Sequence, residues 1–225
     1  TPGAVGNGLA IGQIASLVDP IPFVVSVENT TETEGGVNRE EDEPYRDRIY
    51  AAPAAFSTAG PAEAYIFWAL TANPAIIDVS ATSPTPSVAE IRPLLQGGVI
   101  PGSDVLDQVY DTLSDQTIRP LADRVDVLAP DGVDYSIDFT YFIRRADQAS
   151  EAEIQARVDD AVADYVAWQR GKLGRDIIPD ELVCRVLHAG AKRLAITSPS
   201  FVKLDPHEVA QEVSVNVIYG GVEDE

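Results

Sequence analysis

Methionine is missing from this 225-residue chain, cysteine occurs once and histidine only twice. A lone Cys184 rules out an internal disulfide and fits a reducing compartment. Bases are scarce as well: 16 lysines and arginines stand against 36 acids, a formal charge of −20. A field of that sign repels phosphate backbones and anionic membrane surfaces, so neither nucleic acid nor membrane is an expected partner. No apolar run approaches the roughly 20 residues that cross a bilayer. The opening TPGAVGNGLA has neither a positive n-region nor an apolar core, so it is not a signal peptide. It also lacks an initiator methionine, and the expectation is a chain that continues upstream of Thr1.

Patterns that carry chemistry are sparse too. There is no G-x-S-x-G nucleophile turn, and neither Gly35-Gly36 nor Gly97-Gly98 leads into the Gly-Lys-Ser/Thr ending of a phosphate loop. His188 follows Cys184 by four residues, so the two share a helix face and could supply two zinc ligands. No second pair completes a tetrahedral site. The plainer reading makes Cys184 a core residue, His188 a helix C-terminal residue, and His207, in LDPHEV, an exposed loop residue. The acids Glu40 to Glu43 could hold Ca²⁺ loosely. An oxygen cage, however, takes ligands from alternating loop positions around a glycine, and consecutive acids on a helix point apart. The expectation is no metal, no cofactor and no small-molecule substrate.

What is present points to many short elements. The chain carries 16 glycines and 16 prolines beside an apolar fraction of 45%. IGQIASLVDPIPFVVSVEN reads as short strands between turns, because FVVSVEN mixes β-branched and aromatic residues. In GGVNREEDEPYRDRI the pattern turns helical from about residue 40, with Tyr45, Ile49, Ala52 and Phe56 at spacings of three and four. Glu41, Asp42 and Glu43 then occupy the first turn, where the helix dipole favours anions, and Arg46 and Arg48 follow a turn later. STAGPAEAYIFWAL starts a second helix, capped by Ser57 or Thr58 with Pro61 in its first turn. IIDVSAT (76–82) and SVAEIRPLL (87–95) read as strands. Ser103 caps a helix with Leu106, Val109, Tyr110 and Leu113 on one side, and RVDVLAP (124–130) reads as a strand.

Further on, Tyr135, Ile137, Phe139 and Tyr141 alternate as in a half-buried strand over 133–145. Ser150 and Glu153 form a capping-box pattern before a helix with the stripe Ile154, Val158, Ala161, Tyr165 and Trp168. Pro179 opens a shorter helix, with Leu182, Val183, Val186 and Leu187 apolar, that Gly190 ends. Strands are expected over 194–200 and 212–221. The fold class is therefore α+β: two small mixed helix/sheet domains, 39–130 and 131–225, preceded by a short β-rich N-terminal segment, 1–38, that is an arm or the end of an upstream domain.

Several of these stretches, taken in order, resemble the Baseplate J-like family. They are a glycine pair followed by acids and arginines (Gly35, Gly36, Glu43, Arg46, Arg48), an S-x-A-G-x-x-x-A-Y segment (Ser57, Ala59, Gly60, Ala64, Tyr65) and an R-P-x-x-D-x-V segment (Arg119, Pro120, Asp123, Val125). LGRDIIPDELVCRVLHAGAKRLAITSPS and the ending YGGVEDE are similar to the family's C-terminal part. The resemblance implies a structural wedge subunit of a contractile phage, prophage or tail-like injection baseplate. Such a subunit is made in the bacterial host cytoplasm, resides in the virion tail, pairs with itself and other wedge and tail proteins, and joins the ring that triggers sheath contraction. It is not an enzyme. Glu43, Arg46, Arg48, Tyr65, Arg119 and Asp123 are the candidate structural or interface residues. Two other classes stand beside it. One is an acidic hydrolase or carbohydrate-binding tail domain, which would show a cleft with convergent carboxylates. The other is a Ca²⁺-stabilised adhesin, whose melting would fall with a chelator.

Overall fold

The structure, a computed structural model, describes residues 3–19, 21–34, 36, 38–39, 41–53, 62–115, 118–120 and 123–224, without the side chains of Pro44, Asp47 and Ala51. The chain divides into two compact units, Thr1–Ala51 and Ala52–Glu225.

In the first unit the backbone folds back on itself, and side chains do much of the stitching. Thr33 N–H donates to Leu9 O (3.1 Å) and Gly8 N–H to Thr33 O (2.7 Å). The Asn29 amide donates to Ala10 O and accepts from Ile14 N–H, both at 3.0 Å. Asn7 holds Gly36 at both its N–H and its C=O, each at 2.8 Å. The expected strands do not form: among the described residues of 1–38 there is one 3₁₀ turn, Ala4–Gly6, and no strand. A strand exists only where a neighbour pairs with it. FVVSVEN has β-forming residues, but Phe23 sits at φ 71° and Val24 N–H closes a turn onto Ile21 O. The apolar residues here are left outside, with Val18, Phe23 and Val25 almost fully exposed. Helix α1 (Asp42–Ala51) follows with Asp42 and Glu43 in its first turn, as expected. Its expected apolar stripe is not buried, since Tyr45 and Ile49 are about half exposed; Phe56 lies outside the described residues.

The second unit starts with α2 (Ala62–Ala72), β1 (Ile76–Thr82), β2 (Val88–Leu95), α3 (Ser103–Leu113) and β3 (Arg124–Val127). The sheet order is β1-β2-β3, antiparallel then parallel. The parallel pair needs a crossover, which α3 supplies. Tyr65 and Ala69 of α2 and Val105, Val109 and Leu113 of α3 bury against Val79, Ile91 and Val125. Here α3 is turned relative to expectation. Val105 replaces Leu106 in the buried stripe, Tyr110 is half exposed, and Gly102 rather than Ser103 occupies the cap, with no side-chain cap bond. Ser57, Thr58 and Pro61, the expected start of α2, lie outside the described residues.

A second sheet follows: β4 (Asp131–Arg144), β5 (Arg193–Ser198) and β6 (Glu208–Glu223), in the order β5-β4-β6. β5 is antiparallel to β4 and β6 parallel to it. The central strand alternates as its sequence does, burying Tyr135, Ile137, Phe139, Tyr141 and Ile143. Helices α4 (Glu151–Arg170) and α5 (Pro179–His188) cover that face. The buried stripe of α4 is Ile154, Val158, Val162, Tyr165 and Gln169; Val162 and Gln169 take the places expected for Ala161 and Trp168. Gln169 belongs there because its amide donates to Arg175 O and Asp176 O, both at 3.0 Å, and so holds the following loop. The capping box does not form. A 3₁₀ turn, Arg145–Ser150, runs straight into α4, Gln148 O takes the Glu151 N–H, and Glu153 pairs with Arg157 at 2.8 Å. Cys184 is exposed rather than in the core. Since α5 buries Leu182 and Val186, position 184 falls on its outer side.

Candidate functional site

The six candidate residues separate into two groups. Glu43, Arg46 and Arg48 all lie on α1. Arg46 Nη1 donates to both Glu43 carboxylate oxygens, at 2.7 and 2.8 Å. Both partners are about 70% exposed, so the pair contributes about 0–1 kcal/mol. The Arg48 guanidinium stands 5.2 Å from the centre of the Tyr45 ring. Glu43, Arg46 and Arg48 thus lie on exposed helix surface with ordinary i,i+3 support.

The other three converge. The hydroxyl of Tyr65, on α2, donates to Asp123 Oδ2 at 2.9 Å, across 58 residues of sequence. Asp123 stands just before β3, with its own N–H on Pro120 O (3.1 Å). Arg119 is close enough to act electrostatically on the Tyr65 phenol, opposing its shift. Tyr65 itself is buried. Beside it is a cavity of about 170 Å³ edged by Ala81, Ser83, Ser87 and Asp123. This pin ties α2 to the entry of β3 and closes one end of the first sheet.

A second constellation joins the two sheets, and sequence reasoning missed it. Arg92 Nε donates to Glu90 Oε1 (2.8 Å), while its Nη1 reaches Ala129 O (2.7 Å) and Asp131 Oδ2 (3.1 Å). His207 Nε2 lies 3.6 Å from the same carboxylate, and the histidine is half-buried rather than freely exposed. Asp78 Oδ2 accepts Leu173 N–H at 2.9 Å, and Gln211 Nε2 donates to Gly98 O at 2.9 Å. Leu94, Leu173 and Val209 make a small core of their own there. Apart from Arg92 and Glu90, two residues apart on β2, these partners are 37 to 113 residues apart in sequence, and no local pattern announces them.

Asp205, His207 and Glu208 bring ligand atoms within 4.8 Å of one another. Glu208 Oε2 accepts the Asp205 N–H at 2.7 Å, so the group reads as the turn that starts β6. Cys184 Sγ lies 3.4 Å from His188 Nδ1, and that nitrogen is 2.8 Å from Cys184 O, which ties the histidine to the end of α5. A concavity of about 700 Å³ lies between α4 and β6. Val162, Ala163, Val166, Val215 and Val217 line it, and Arg170 paired with Glu212 stands among the lining residues. Its walls are mainly apolar, unlike a cleft of converging carboxylates.

Two domain families match this chain in order: the Baseplate J-like central domain over residues 57–129, and the Baseplate J-like protein C-terminal domain over residues 135–218. The chain belongs to the Baseplate J-like family. Baseplate protein J of Escherichia phage P2 is 28% identical over 184 residues, which are 81% of this chain and 60% of that protein. A chain of the cryo-EM structure of the 6-fold symmetrised baseplate of the anti-feeding prophage superposes with a TM-score of 0.54. It is 16% identical, and the superposition covers 89% of this chain and 48% of that one, a likeness of fold. The baseplate J-like chain described here therefore spans about 60% of its phage P2 relative and about half of the prophage one. Tyr65, Arg119 and Asp123 fall inside the central-domain match; Ser57, Ala59, Gly60 and Gly35 lie outside the described residues.

The pin has a pH signature. Burial, and then the hydrogen bond to Asp123, pushes the Tyr65 hydroxyl from 10.0 up to about 12. Burial does the same first of all for Tyr141 and Tyr165, each to about 12. A folded-state pKa above the unfolded one means that the native state keeps its proton longer. That stability is whole below pH 10 and is lost as pH rises toward 12. The melting temperature of this baseplate J-like chain is expected to hold to pH 10 and fall steeply between pH 10 and 12. Tyr65→Phe should cost about 1 kcal/mol of stability at neutral pH, through loss of the Asp123 bond, and make the alkaline fall in melting temperature shallower. A melting curve flat to pH 12 contradicts this account.

Proposed function

We propose that this chain is a structural subunit of a contractile-tail baseplate wedge, acting through surfaces rather than through catalysis. The observation that carries the reading is the ordered pair of family matches across 57–218, backed by the phage P2 relative over 81% of the chain. Those matches support two modules, one within 39–130 and one within 131–225, and on this reading 1–38 is an arm. The exposed Val18, Phe23 and Val25 support an arm that other subunits cover. On this reading the chain pairs with copies of itself and with other tail proteins in the virion baseplate, after synthesis in the host cytoplasm. The charge of −20 supports protein partners over nucleic acid or membrane.

In that role Tyr65, Arg119 and Asp123 keep the first sheet rigid, while Glu43, Arg46 and Arg48 offer charges to a neighbouring subunit. Each exposed pair is weak alone, so a ring gains its strength by repeating contacts around its symmetry. The test is reconstitution of the full-length protein with its neighbouring tail proteins, imaged by electron microscopy. Wedges or rings containing the chain are expected. A chain that stays monomeric beside an assembled baseplate, or that cleaves a polysaccharide, overturns the reading in favour of a tail hydrolase.

A further inference from the structure

The second sheet is covered unevenly. Tyr165 of α4 meets Tyr135 of β4 edge to face at 6.4 Å, and α5 lies against β5. Along β6 the cover thins after the buried Val209 and Ala210. Val213 is 60% exposed and Val215 49% exposed; Val215 and Val217 floor the groove of about 700 Å³ beside α4. From Asp159 to Arg170 the wall of that groove is three helical turns, about 16 Å long. Ala163 and Ala167, one turn apart, keep the wall low enough for a second backbone to approach at the usual 8–10 Å between helix axes. The space has the shape of a missing third helix in a two-layer fold.

Charge says what kind of helix. The groove is lined by Asp159, and the exposed Asp160 and Asp164 stand on the adjoining ridge of α4. β6 contains no lysine or arginine. Both arginines of α4 are held by acids, Arg157 by Glu153 and Arg170 by Glu212. The free charge around the apolar floor is therefore negative. A second copy of this chain, offering its own acidic α4, would set like charges together.

We propose that the α4/β6 groove receives an amphipathic helix of a different protein, whose apolar stripe is flanked by lysines and arginines. The inference deepens the baseplate reading and rests on it, because the helix belongs to another component of the assembly. The test places a photo-crosslinking residue at Ala163 or at Val215 of the full-length chain, assembles it with the complete set of tail proteins, and maps the crosslinked peptides by mass spectrometry. Both positions are expected to capture one segment of a different protein, with basic residues bordering an i, i+3, i+4 apolar stripe. Ala163→Lys, a substitution at an exposed position that α4 tolerates one turn after Asp159, sets a like charge and a longer side chain against the basic helix and should reduce capture at Val215 about tenfold with an unchanged melting temperature. Capture of a second copy of the chain, capture of an acidic or extended segment along the open edge of β6, or an assembly that forms with the groove uncrosslinked overturns the proposal. Wild-type chain that joins no assembly overturns the baseplate reading itself, so the two failures are told apart.

Discussion

Replacing Phe139 with alanine is expected to remove about 3–5 kcal/mol of stability, against a total of about 5–15 kcal/mol for a typical domain. Phe139 is 1% exposed at the middle of β4, the central strand of the second sheet. It is part of one core with Ile137, Tyr141, Val158 and Tyr165, so its removal leaves a cavity that two strands and a helix border. Its neighbour Phe142 points to the other face, where the Arg193 guanidinium sits 3.8 Å from the ring centre. Phe142→Ala should cost only about 1–2 kcal/mol. Guanidinium denaturation of the two variants measures the difference directly. Equal losses would mean that β4 does not hold the register drawn here, since a slip of one residue exchanges the two faces. The consequence reaches function, because β6 pairs with β4 along its length and carries the floor of the proposed docking groove.

How much of this was legible in the sequence differs from one region to the next. β1 and β4 were readable because strict alternation and β-branched runs are local signals, and Ile76–Thr82 falls where its residues place it. The helix starts were less so. Ser103 and Ser150 have the right chemistry for caps, but Ser103 lies one residue inside α3, behind Gly102, and Ser150 ends a 3₁₀ turn, and neither hydroxyl makes a cap bond. The N-terminal segment failed for a different reason: β propensity is a preference for a pleated, half-buried surface, and residues 23–29 find no strand to pair with among those described. Cys184 was expected inside on residue type alone, whereas the phase of Leu182 and Val186 decides its direction. Of the candidate site, Tyr65 and Asp123 were named through family resemblance, but their bond, across 58 residues, was not legible. Arg92, Asp78 and Gln211, which hold the sheets together, carry no local signature, because their partners are set by how two sheets meet.

The glycine pair Gly97-Gly98 offers the second large effect and its own control. Both residues are left-handed, at φ 75° and 73°, in the turn after β2. Both therefore incur about 1–2 kcal/mol of backbone strain when given a side chain. They differ in space. A Cβ at Gly97 meets nothing within 4 Å, whereas one at Gly98 would sit 2.6 Å from Arg170 Cβ and 2.7 Å from Arg170 O. Arg170 is the last residue of α4, and its side chain is committed to Glu212, so relief requires the helix end itself to shift. Gly98 O also takes the Gln211 amide, which ties the turn to β6. Gly98→Ala is expected to cost about 2–4 kcal/mol and Gly97→Ala about 1–2 kcal/mol, since forcing methylenes into a filled site adds about 1–3 kcal/mol. Thermal denaturation of both variants supplies the comparison. If they melt together, the end of α4 yields freely and the contact between the two sheets is soft. If Gly98→Ala falls further than Gly97→Ala, that contact is rigid and the two sheets respond as one body.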